Sequence, residues 1–179
     1  PFAYFNLGFD HLLKGIDHIV FLICLIFLVT GFIHLVKVIT AFTVAHSITL
    51  SLSFLGIVSI SQSVIEALIA LTIIFVALDV IDNKNKKFPW YYAFGFGLLH
   101  GLGFAGVINE IGLSQTNFIF SLLAFNLGVE IGQLFVIVIC YFGVTHWIKD
   151  RLWYKKFFTN PMSLIISIIG LIWFVERIM

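Results

Sequence analysis

Six stretches of the chain contain no Asp, Glu, Lys or Arg: 19–36, 38–65, 88–109, 111–129, 131–148 and 157–175. Each reaches or nears the roughly 20 residues that an α-helix needs to cross a hydrocarbon core of about 30 Å. Lipid offers no water to backbone N–H and C=O groups, so a helix, which satisfies them internally, is the element such stretches predict. The pattern places spans at 16–35, 38–57, 62–82, 90–110, 116–147 and 160–177. Short polar connections join them, the clearest at 82–89 and the next at 149–161. The fifth span exceeds a straight crossing, which predicts a tilt or an extension past the membrane. The reading is an all-α polytopic transmembrane helix bundle of about six spans, forming a single integral-membrane domain over residues 1–179. Residues 1–15 stand apart. Phe2, Tyr4, Phe5 and Phe9 suit a membrane interface, so this segment reads as a short interfacial helix. Gly8 and Gly15 would let it bend against the first span.

Composition agrees with this pattern: 61% of the residues are hydrophobic and 11% charged, against about 25% charged in soluble domains. Lipid is the solvent that such surface requires, so the bilayer is the first partner. With a net charge of +1, nothing suggests a nucleic-acid partner or an acidic substrate. Cys24 and Cys140 lie singly in apolar runs, form no CxxC pair, and read as small buried hydrophobes. Of the ten Lys and Arg residues, eight fall on one side of a six-span chain: Lys37, Lys84, Lys86, Lys87, Lys149, Arg151, Lys155 and Lys156. Lys14 and Arg177 are left on the other side. The excess of basic residues in cytoplasmic loops then puts both termini outside the cytoplasm. Pro1 is not a natural start, and a removed signal peptide or upstream domain would account for it. Trp90, Tyr91, Tyr92, Trp147, Trp153 and Tyr154 read as an inner aromatic belt, with His34, His146, Asp79 and Asp82 at the same boundary.

The chemistry is carried by ionisable groups inside the spans, each costing on the order of 2.5–3.5 kcal/mol at the bilayer centre and therefore in need of a partner, a cavity or a function. His46, His100 and Glu130 map near mid-membrane. His11, Asp17 and His18 map to the outer end of the first span, with Glu66 and Glu110 also toward the outer side. Asn126, Glu130 and Gln133 share one helical face by i,i+4 and i,i+3 spacing, and Thr43, His46 and Ser53 form a similar stripe. Gly97 and Gly101 flank His100, and Gly128 and Gly132 flank Glu130. Such pairs let backbones approach closely, so the fourth and fifth spans are expected to pack together with His100 near Glu130. His11 and His18 lie about 10 Å apart along a straight helix, and a break at Gly15 would bring them together. Phe42-Thr43-Val44-Ala45-His46-Ser47 is similar to Phe96-Gly97-Leu98-Leu99-His100-Gly101, as two matched half-sites or by chance between apolar helices. Imidazole with carboxylate suits nickel, cobalt, zinc or copper(II).

The segments His11-x5-Asp17-His18, Phe42 to Leu50, Phe96 to Ala105 and Phe125 to Gln133 occur in an order that resembles the HupE/UreJ family of membrane proteins, associated with hydrogenase and urease gene clusters. The likeness runs from about Phe5 to Gln133. The last 45 or so residues read as a generic final span. The family is regarded as nickel or cobalt permeases of the bacterial cytoplasmic membrane. The resemblance implies that His11, Asp17, His18 and His100 carry metal uptake here. A second copy of the chain or accessory metalloenzyme machinery is the further partner expected.

Three functions compete. In a transition-metal permease, for nickel first, His11, Asp17 and His18 would capture the ion. His46, His100 and Glu130 would bind it deeper, with Asn126, Gln133, Thr43, Ser47 and Glu66 as supporting polar groups. A zinc-dependent intramembrane hydrolase would instead hold one fixed metal with an open water position, or use Ser47 as a nucleophile, although no activating triad is readable. A metal-binding sensor or accessory protein would bind without moving the ion. The absence of thiolates among these residues fits a releasable cargo better than a structural zinc, so a transporter is favoured over an enzyme.

Overall fold

The computed structural model describes residues 2–29, 31–82, 88–103, 118–151 and 153–179. The connection with Lys84, Lys86 and Lys87, and the segment with Glu110, lie outside them. The helices are α1 (Phe2–Lys14), α2 (Ile16–Leu28), α3 (Phe32–Phe54), α4 (Gln62–Asp82), α5 (Trp90–Gly103), α6 (Phe118–Cys140) and α7 (Asn160–Ile178). Helix α6 continues through a π-helical turn, Tyr141–Thr145, into His146–Ile148, and a second π-helical stretch, Tyr154–Thr159, leads into α7. Among the described residues there is no strand.

Helices α3, α4, Ile119–Ile148 and Tyr154–Ile178 are each long and apolar enough to cross a membrane, and α1 with α2 reaches that length as one pair bent by 71°. Helix α5 is described over 14 residues. Large apolar side chains stay exposed along the outer faces, among them Leu123, Leu127, Phe135, Leu164, Ile168 and Leu171. Patches of that extent are not left to water by soluble monomers. The chain is a polytopic, all-α membrane protein.

The boundaries near the start differ from the charge spacing. The apolar run 16–35 is divided: α2 stops at Leu28, and α3 begins at Phe32, after Gly31 has taken a φ of 90°. That left-handed conformation favours glycine. Both sides of the turn are apolar, so the absence of charge could not reveal it. Helix α1 packs lengthwise on α6. A Cβ on Gly8 would strike the Phe125 carbonyl, and one on Gly128 would strike the Phe5 carbonyl.

The same contacts correct the expected pairing of the fourth and fifth spans. Gly97 and Gly101 of α5 seat against the Phe42 and His46 carbonyls of α3, whereas Gly128 and Gly132 of α6 seat against Phe5, Phe9 and Leu12 of α1. Without a hydrophobic driving force between helices in lipid, close backbone contact of this kind is what holds a bundle together. Three pairs result, α1 with α6, α3 with α5 and α4 with α7, and short α2 lies among them, touching α1, α4 and α6. Its Phe21, Leu22, Cys24 and Leu25 are buried.

One end of the bundle gathers the basic residues. Phe27 at the end of α2 meets Phe158, Phe32 at the start of α3 meets Tyr141 and Phe142, and His34 Nε2 lies 3.1 Å from the Phe88 carbonyl before α5. Lys37, Lys149, Arg151, Lys155 and Lys156 belong to this end. Trp90, Tyr91, Tyr92, Trp147 and Trp153 are exposed, while Tyr154 is turned inward.

A methyl group separates two glycines of α5. Gly97→Ala should destabilise the detergent-solubilised protein by about 1–3 kcal/mol in a denaturant titration, because the Phe42 backbone must retreat. Gly95→Ala, whose Cβ would meet nothing within 4 Å, should leave stability unchanged or slightly raised.

Candidate functional site

Four imidazoles from four helices meet in the interior, toward the end opposite the basic one. The ring centroids of His11 (α1) and His18 (α2) are 4.9 Å apart, His18 and His100 (α5) 5.4 Å, His18 and His46 (α3) 6.1 Å, and His11 and His46 6.3 Å. His18, His46 and His100 are buried.

The bend at Gly15 makes the first contact. Gly15 has an extended ψ of 93°, and α2 starts afresh after it. The position also requires a missing side chain: a Cβ there would come 2.7 Å from His18 Nδ1 and 3.2 Å from Asp17 Oδ1. In the first turn of α2, where backbone N–H groups have no helical acceptor, Asp17 Oδ1 accepts the His18 N–H at 3.0 Å and lies 3.2 Å from His18 Nδ1.

Two of the rings are oriented from behind. His100 Nδ1 lies 2.8 Å from the Phe96 carbonyl one turn earlier. A carbonyl only accepts, so Nδ1 carries the proton, and in a neutral ring Nε2 is then the bare lone pair. Asp17 acts in the same way on His18. Nδ1 held by carbonyl or carboxylate with Nε2 presented is the arrangement that orients metal-ligating histidines. The Nε2 atoms of His18 and His100, and both ring nitrogens of His46, are buried without a hydrogen-bond partner.

The shell is aromatic. Phe21 and Phe42 lie 5.4 Å and 4.9 Å from the His100 ring, Phe42 stacks on His46 at 22°, and Phe125 stands 5.7 Å from His11. The matched segments of α3 and α5 lie side by side, with Gly97 against Phe42 and Gly101 against His46. Two histidines of corresponding position therefore face one cluster.

Rings on one tetrahedral ion, with metal–nitrogen bonds of about 2.0–2.1 Å, have centroids about 5 Å apart. The four rings are at or somewhat beyond that separation. Among the described residues no group of three or more His, Cys, Asp or Glu is arranged to hold an ion as it stands.

The remaining polar residues lie elsewhere. Glu130 is half-buried on α6 and accepts a 2.7 Å hydrogen bond from Thr40 Oγ1; it does not meet His100. Thr43 Oγ1 donates to Gln133 Oε1 at 2.6 Å, and Asn126 is buried with its Oδ1 unpartnered. Ser47 Oγ donates to the Thr43 carbonyl of its own helix at 2.7 Å, so its hydroxyl is engaged with backbone rather than with a base. Glu66 bonds Gln62 at 2.9 Å and pairs with Arg177 at 3.4 Å, tying α4 to the end of α7. His34 and His146 stand apart from the cluster, near the basic end. Cys24 is buried, and both cysteines are free.

The family model described as HupE / UreJ protein matches residues 1–177. The chain belongs to the HupE/UreJ family. No curated protein and no solved structure matches it. The HupE/UreJ match extends through α7, beyond the segment that the four motifs covered. Sequence reasoning missed the anchoring role of the Phe96 carbonyl, although Phe-x3-His on a helix supplies an i−4 acceptor in principle. It also missed Thr40, whose role depends entirely on α6 lying opposite.

The bend itself can be checked without reference to function. In this HupE/UreJ chain, a His11→Cys/His18→Cys double variant should be joined by a short thiol-bridging reagent. Adding Gly15→Ala should lower the yield several-fold as the new Cβ pushes position 18 aside. Equal yields on a denaturing gel would show that the bend does not depend on Gly15.

Proposed function

We propose that this HupE/UreJ-family protein is a permease of the bacterial cytoplasmic membrane for a divalent transition-metal cation, nickel or cobalt before zinc or copper. The observation that supports it is the meeting of four imidazoles, with one carboxylate behind them, in an aromatic interior. A buried imidazole nitrogen without a partner is costly, and a cation that accepts several lone pairs removes that cost at once. Imidazole donors favour nickel, cobalt, zinc and copper over magnesium or calcium, which prefer oxygen.

In this reading the basic end faces the cytoplasm, and the cluster lies in the outer half of the bilayer. His11, on α1, is the first ligand met, with His18 held by Asp17 beside it. His46 and His100 complete the set from α3 and α5 when the rings turn their bare nitrogens to a common point. The cation is cargo, so binding must be reversible, and the lack of thiolate ligands suits release. The serine variant of the zinc-hydrolase reading has less support, since Ser47 Oγ donates to the Thr43 carbonyl of its own helix.

His100→Ala should abolish nickel accumulation by cells expressing the protein, while membrane insertion and detergent-extracted yield stay unchanged. Inductively coupled plasma analysis of washed cells measures the first and fractionation the second. Wild-type accumulation by the variant would sink the permease reading.

A further inference from the structure

We propose that the seam between α3 and α6 is a second, oxygen-lined station for the same divalent cation, placed between the imidazole cluster and the basic end and fed through His46. This rests on the permease reading and adds to it a step that the histidine cluster alone does not supply.

Three buried atoms on the two helices lack a partner: Nδ1 and Nε2 of His46 on α3 and Oδ1 of Asn126 on α6. The two nitrogens of an imidazole diverge, so one turned toward His11 and His18 leaves the other directed away from them. From His46, α3 continues toward the basic end through Thr43 and Thr40, a distance of about 9 Å along the axis. Each threonine is joined to α6, Thr43 to Gln133 at 2.6 Å and Thr40 to Glu130 at 2.7 Å. The donors available are one carboxylate, two amide carbonyls and two hydroxyl oxygens, with no imidazole beyond His46. Gln133 is 1% exposed, and the seam opens at half-buried Glu130 and exposed Thr40.

This donor set differs from the cluster in a way that sets direction. Nickel and cobalt prefer imidazole nitrogen to neutral oxygen, so the seam holds them more weakly and is easier to leave. A chain of sites of falling strength lets an ion that binds well also depart. Glu130 supplies the negative charge that keeps a dication favourable once it has left Asp17 behind.

The test uses the full chain in proteoliposomes with nickel ion alone as probe, measuring equilibrium binding and initial uptake rate separately. Glu130→Gln should keep nickel affinity within about threefold of wild type while lowering the maximal uptake rate at least about tenfold, the split expected of a residue acting after capture. Thr40→Val, close in shape, should lower the rate in the same sense, and Glu130→Asp should recover part of it. A Glu130→Gln rate within about twofold of wild type, or an equal loss of binding and uptake, would overturn the second station. His100→Ala should lose binding itself, which separates the two stations. Wild-type vesicles that bind no nickel would instead remove the permease reading, and this proposal with it.

Discussion

In a bilayer a polar group must find its partner within the protein, because no water stands ready to replace one. Backbone groups meet that condition by forming helices. Side chains meet it case by case, and most of those in this protein do so conventionally: Ser47 and Ser51 donate to carbonyls four residues back, Glu66 takes Arg177, and Glu130 takes Thr40. The histidine cluster is the densest departure among the described residues. Its rings are pressed against one another and against phenylalanines, with the Nε2 atoms of His18 and His100 and both nitrogens of His46 unpaired. A fold that buries those atoms without partners leaves their hydrogen-bonding capacity unused.

The geometry of the cluster depends largely on glycine. Gly15 permits the 71° bend between α1 and α2 that sets the His11 ring 4.9 Å from that of His18. Gly8 and Gly128 then seat α1 on α6, so that His11 is carried on a helix clamped from outside, while Gly97 and Gly101 bring α5 against α3 and His100 beside Phe42. Each contact is between backbones, and backbone positions move little. The imidazoles are therefore placed by rigid helix pairs rather than by loops, and short α2, wrapped by the others, carries His18 into their midst.

The division of polar groups within the bundle follows from chemistry as well as position. Nitrogen donors lie toward the end away from the basic residues, and oxygen donors follow along the α3/α6 seam. Asp17 is in contact with His18, and Glu130 is bonded within the seam, so each group of donors has one carboxylate.

What could be read from the residues alone was the class of protein, the approximate helices, the basic end and which ionisable residues fall inside the helices. Charge-free runs of span length and the cost of buried ionisable groups are local properties, legible one residue at a time. The four motifs also placed the chain with the HupE/UreJ family. Partnership was not local. The glycine pairs announced close packing but not with which helix, and they turned out to serve α3 and α1 rather than each other. Gly31 divided an apolar run that carried no mark of its turn, and Glu130 settled with Thr40 instead of His100. Those outcomes depend on which faces meet in three dimensions, a choice made by the whole set of backbone contacts and visible only once the helices are packed.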